Sequence, residues 1–171
     1  MKWTKLIIAV AIFVLGLVPI AGAPENAPQP KQTEVNMSGI QEIFPRGGAN
    51  TAYAQYFVGN SYLNMLTTQG VAIGNVTFEP GCRNNWHIHH ADNGGGQILL
   101  CTAGRGWYQE WGKAARELHA GDVVVIPAGV KHWHGAAEDS WFVHLAVEVP
   151  GENTRNEWLE PVSEADYNKL P

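Results

Sequence analysis

Between residues 52 and 149 this chain is broken by glycine and proline so often that its apolar runs stay short. The runs are rich in Val, Ile, Tyr, Phe and Trp: Ala52–Phe57, Val71–Phe78, Trp86–His89, Gln97–Thr102, Gly106–Trp111, Arg116–Leu118, Asp122–Ile126, Lys131–Gly135 and Trp141–Val149. Strand-like runs recurring roughly every 8–12 residues between turn signals predict an all-β sandwich or barrel. No amphipathic helical pattern precedes Ser163–Lys169, where Ser163 can cap one short turn.

Apolar residues make up 45% of the 171 and charged ones 16%, enough to build a core and too apolar for a disordered polyelectrolyte. The formal charge of −5 excludes the basic face that nucleic acid demands. Two cysteines are too few for a disulfide-built fold or a four-thiolate zinc site.

Residues 1–23 read as a secretory signal peptide rather than as part of the fold. Lys2 and Lys5 precede 13 residues, Leu6–Val18, that are apolar but for one glycine. Pro19 ends the run, and Ala21 and Ala23 place small residues where a signal peptidase needs them. The run is short for a membrane span. Pro24 disfavours cleavage and keeps a signal-anchored form as the alternative. Removing this segment takes away two lysines and no acid, moving the charge from −5 to −7. The expectation is an exported protein, periplasmic or secreted, not stably inserted in the membrane once cleaved, and working on a small molecule. Residues 24–34, with Pro24, Pro28 and Pro30, read as a linker, 35–159 as the β domain and 160–171 as a C-terminal tail.

All seven histidines lie between His87 and His144. His87 and His89 are spaced i, i+2, so on a strand both imidazoles leave the same face; His132 and His134 repeat that spacing on a later strand. Two such pairs between glycine turns predict a metal site, because neutral imidazole suits divalent transition ions.

The residues around these pairs resemble the two signatures of the cupin superfamily. The first is carried by Gly81, five residues, His87-Ile88-His89, then Gln97, six residues and Gly104. The second is carried by Gly121, five residues, Pro127-Ala128-Gly129, two residues and His132. The resemblance implies a double-stranded β-helix, or jelly-roll barrel, with one divalent metal ion per chain, manganese favoured over iron, nickel or zinc. The implied ligands are His87, His89, Gln97 and His132. The chain departs from the family pattern in having Gln97 where Glu is usual, a seven-residue spacer before it, and Ala136 where the second signature ends in Asn. His90 and Asp92 in that spacer are rival ligands placed in a loop, whereas Gln97 opens a strand that should pair with the His87–His89 strand. A neutral set of three imidazoles and an amide leaves the metal its full charge, which suits Lewis-acid work and disfavours oxygen activation.

A narrower likeness rests on Phe78-Glu79-Pro80-Gly81, on Lys131 to Ala137 and on His144-Leu145-Ala146. These resemble small bacterial cupins that include manganese-dependent hydroxynitrile lyases and cupins associated with carboxymuconolactone decarboxylases. That likeness implies a lyase acting on a small hydroxyl or carbonyl substrate, with His134 and His144 as acid/base residues. Each has a plainer alternative, His134 as a hydrogen-bond partner of a ligand and His144 as a buried structural residue. The competing functions are a metal-dependent dioxygenase and a non-catalytic periplasmic cupin that binds a small ligand or a metal. By analogy with small barrels whose sheet edges pair, a homodimer is expected. Trp86 and Trp133 alternate away from the metal face and should pack elsewhere, His90 and His119 should lie on the surface, and Cys82 and Cys101 either pair or remain free thiols.

Overall fold

The computed structural model describes residues 40–171, so the segments read as signal peptide and linker, and the first residues of the expected domain, lie outside the described residues. The strands are β1 (Gly48–Ala49), β2 (Phe57–Val58), β3 (Ser61–Thr67), β4 (Ile73–Phe78), β5 (Arg83–Asn84), β6 (His87–His90), β7 (Asn93–Gly94), β8 (Gln97–Glu110), β9 (Arg116–His119), β10 (Val123–Ile126), β11 (Lys131–Ala136), β12 (Phe142–Glu148), β13 (Gly151–Glu152) and β14 (Arg155–Trp158). A single helical turn, α1 (Glu164–Tyr167), follows, and Ser163 caps it by accepting from the Asp166 amide. The all-β reading therefore holds.

Every pairing is antiparallel. One layer runs β1-β3-β4-β12 and then the first half of β8, which also pairs β10. The other layer contains the second half of β8, paired with β9 and β11. β5 and β6 pair with β11, and β2 and β14 extend them. The sequence shows two runs, Gln97–Thr102 and Gly106–Trp111, where the structure has one 14-residue strand. Gly104 carries the passage between layers. Its φ is +72°, and a Cβ there would stand 1.9 Å from the Trp141 carbonyl oxygen, so only glycine fits.

Three local readings need correction. Ala52–Phe57 is not a strand: Thr51–Tyr56 form a 3₁₀ turn and only Phe57 enters β2. Side chains three apart eclipse in such a turn, and Tyr53 and Tyr56 both lie against Trp158, Tyr56 at 4.7 Å between ring centroids. Ser61–Thr67, with no strand expected, is β3; its mixed polar and apolar side chains leave it half-buried beside β4. The strand opened by Gln97 does not pair with the His87–His89 strand. It pairs with β12, β10, β11 and β9, so Gln97 reaches the histidines from another part of the barrel.

Alternation along each strand sorts side chains to two clusters. The inner one holds Val76, Phe78, Leu99, Ile126, Phe142 and both cysteines, which are buried and unbridged; burial pushes each thiol up to about 12. The outer one gathers Trp86, Trp107 and Trp133 beneath Val162 and Tyr167 of the C-terminal segment. Residues 160–171 thus form a packed cover: the Tyr167 hydroxyl donates to the Ala136 carbonyl at 2.7 Å, and Arg83 lies over its ring while pairing with Glu164. The outward turn of Trp86 and Trp133 leaves the opposite faces of β6 and β11 to histidine.

Candidate metal centre

β6 and β11 are register neighbours with His87 directly opposite His132, and their rings stand 4.1 Å apart. His89, two residues along β6, lies 5.2 Å from His87 and 5.6 Å from His132. All three are buried. The strands fix their tautomers. His87 Nδ1–H donates to the Asn85 carbonyl at 3.0 Å, and His132 Nδ1–H donates to that of Val130 at 2.9 Å. Each bond reaches two residues back along the chain, to the segment that leads into the strand, and leaves Nε2 as the lone pair. His89 Nδ1–H donates instead to Glu148 Oε2 at 3.1 Å. The other oxygen of that carboxylate, Oε1, accepts from Gln97 Nε2 at 3.3 Å, which orients the Gln97 amide.

What remains is a set of acceptors without donors. His89 Nε2, His132 Nε2 and Gln97 Oε1 are buried with no hydrogen-bond partner. A buried, unsatisfied acceptor costs about 1–3 kcal/mol, so three together are best accounted for by a cation. Protonation is held off. Burial keeps His87 well below its ordinary range, assisted by the neighbouring imidazoles of His132 and His89. Burial lowers His132 to about 4. Neutral imidazoles are the form that binds a metal.

His134 complicates the cluster. One ring nitrogen from each of His87, His132 and His134 lies within 4.8 Å of the others. Its hydrogen bonds nevertheless leave His134 no free lone pair. The His134 backbone N–H can only donate, so Asn84 Oδ1 faces it at 2.9 Å. Asn84 Nδ2 therefore donates to His134 Nε2 at 3.0 Å. The proton of His134 is then on Nδ1, which has no partner. Burial, then the nearby imidazoles of His144 and His87, keeps this ring neutral as well.

Residues 74–148 match the cupin domain family model. Across 99 residues the chain is 44% identical to an (R)-mandelonitrile lyase of Granulicella tundricola, spanning 58% of this chain and 72% of that one. The chain belongs to the cupin superfamily. Among solved structures, a cupin-like protein from Thermotoga maritima superposes with a TM-score of 0.66 at 41% identity, over 75% of this chain and 96% of its own. A putative sugar phosphate isomerase from Acidithiobacillus ferrooxidans, 16% identical with a TM-score of 0.50 over 58% of this chain and 65% of that one, shares the fold alone.

In this cupin His87, His89, Gln97 and His134 line a cavity of about 420 Å³, together with apolar walls from Phe57, Leu63, Met65 and Phe78. Trp158 of β14 closes one side and stacks on His87 at 4.8 Å. The seven-residue spacer is accounted for: β7 pairs with β13, and Gly96, at φ +96°, turns the chain against the Ile126 carbonyl to deliver Gln97. The rival ligands fall outside. His90 is not in a loop; it ends β6, facing the other way, bonded to Glu157 at 2.6 Å. Asp92 is exposed and accepts from Asn153. His119 is exposed, as expected.

His144 is fully buried, with both ring nitrogens unpartnered, among Phe78, Phe142 and His134, and burial lowers it to about 3. It stands behind His134, 4.8 Å between ring centroids, and is not among the residues lining the cavity. Three residues of the site escaped the sequence reading: Asn84, Glu148 and Trp158. Glu148 had a signal, since it continues the alternation His144, Ala146, Glu148 on one strand face. Asn84 and Trp158 had none, because the strands that place them are short and pair across long separations.

Proposed function

We propose that this cupin is a metal-dependent lyase acting on a small hydroxyl or carbonyl substrate, with the cyanohydrin class named by its Granulicella relative as the first to test. The observation that carries the reading is the set of buried, unpartnered acceptors His89 Nε2, His132 Nε2 and Gln97 Oε1, two of them on residues that line a cavity with apolar walls. His87, His89, Gln97 and His132 would hold one divalent ion, manganese being the first choice. When bound, it would supply Lewis-acid polarisation of a substrate oxygen.

The chain's own residues would do the rest. The apolar walls would take the organic part of the substrate and exclude water. His134, with its proton held at Nδ1 by Asn84, would hydrogen-bond the group that becomes negative as the C–C bond breaks. His144, the second histidine of this pair, stands behind His134 and would act on the substrate only through it. The departing carbon group would take the Nδ1 proton of His134, and the nitrogen so freed would take the proton of the substrate hydroxyl, so the ring returns to its starting state. Export to the periplasm or beyond and homodimerisation belong to the same proposal.

The test is metal analysis of protein purified without chelators, together with aldehyde release from a cyanohydrin. About one divalent ion per chain, lost in a His87→Ala/His132→Ala variant along with activity, is the expected result. Oxygen uptake without aldehyde release would replace the lyase by a dioxygenase. Bound metal with neither activity would leave a binding protein. A parent that takes up no ion after reloading overturns the site.

A further inference from the structure

Gln97 and Glu148 face one another across β8 and β12 as direct register partners. One carboxylate, that of Glu148, receives both the Gln97 amide N–H and His89 Nδ1–H. A carboxylate only accepts hydrogen bonds. It therefore forces the Gln97 amide to turn its NH₂ outward and its Oε1 inward, and fixes His89 with its lone pair on Nε2. Two of the four candidate ligands owe their orientation to this one side chain, which is itself 41% exposed while both its partners are buried.

We infer that Glu148 is the positioning residue of the metal site and that it supplies, one hydrogen bond further out, the negative charge that Gln97 does not carry. This rests on the metal-binding reading above. It also corrects the expectation drawn from the ligand types alone. The neutral set does not leave the ion's charge wholly uncompensated, because a carboxylate–histidine pair transmits part of the compensation and raises ligand basicity.

The consequence is a specific coupling between positions 148 and 97. In Glu148→Gln the amide offers one acceptor and one NH₂, so it can satisfy only one of the two N–H donors and opposes the other. If position 97 carries a carboxylate, the conflict disappears: the amide at 148 donates to position 97 and accepts from His89.

The experiment measures the Mn²⁺ dissociation constant, by competition with a chelating dye, for the parent, Glu148→Gln, Gln97→Glu and the double variant. The Mn²⁺ electron paramagnetic resonance spectrum and metal-free thermal melting are recorded alongside. The expected result is at least about a tenfold weakening by Glu148→Gln in the parent and none when Gln97→Glu is present, with a changed Mn²⁺ spectrum and an unchanged metal-free melt. An unaltered dissociation constant in Glu148→Gln, or an equal weakening in both backgrounds, overturns the inference while leaving the metal site standing. Failure of the parent to bind Mn²⁺ or any other divalent ion overturns the site and the inference together.

Discussion

His144 offers a measurement of what its burial costs as acid rises. It is fully buried, and burial lowers it from the ordinary 6.5 to about 3. The folded protein therefore keeps this imidazole neutral across a range where the unfolded chain protonates it. Stability contributed by the neutral form is complete above the unfolded value of 6.5 and falls as pH drops below it, until the loss levels off near the folded value of about 3. Within that window the loss is about 1.4 kcal/mol per pH unit, so going from about pH 7.5 to about pH 5 costs about 2 kcal/mol through His144 alone. His144→Leu removes the titration. It also disturbs the packing against Phe78 and Phe142, but that cost does not vary with pH and cancels in a difference. Urea unfolding of metal-free protein, followed by tryptophan fluorescence at both pH values, should show the variant losing about 2 kcal/mol less than the parent. Equal losses in the two proteins would refute the argument that His144 is buried in its neutral form.

Three further outcomes follow from the geometry. His134→Ala should keep its metal and lose turnover, whereas His89→Ala should lose metal, as read by metal content after gel filtration; the reverse pattern would put His134 among the ligands. Asn84→Ala removes partners of both the His134 backbone N–H and its Nε2, and should lower chemical stability by about 1–3 kcal/mol and kcat with it, at unchanged metal content. Gly104→Ala places a Cβ against the Trp141 carbonyl in a left-handed conformation and should destabilise by more than about 3 kcal/mol or prevent folding, as read by circular dichroism.

The parts legible in the sequence were those that period two encodes. The i, i+2 histidines, their shared face and the outward turn of Trp86 and Trp133 all follow from strand alternation, and the structure places them so. The glycine turns located strand ends, although at Gly104 the same residue marks a crossing inside one strand rather than a break. Pairing partners were not legible. Nothing local says that Gln97 lies opposite Glu148, or that Asn84, from a two-residue strand, reaches His134. Those contacts join segments far apart in the chain, and local periodicity carries no information about them. Tyr53 and Tyr56 misled for a different reason: aromatic residues favour strands in general, but here their spacing of three matches a 3₁₀ turn against Trp158.

β8 belongs to both layers, and its partner β12 is also the partner of β4, with Ile73 opposite Val147. The histidine-bearing strands likewise wait for a late segment, since β14 covers β6. Few of these ladders close between sequence neighbours, which places the protein among high-contact-order chains, whose folding runs on the scale of milliseconds to seconds. The acceptor cluster draws on β6, β8, β11 and β12, so it has no precursor in any early hairpin. A divalent ion could then act on this protein only as a lock on the finished barrel, slowing its unfolding, and not as a seed that hastens its folding.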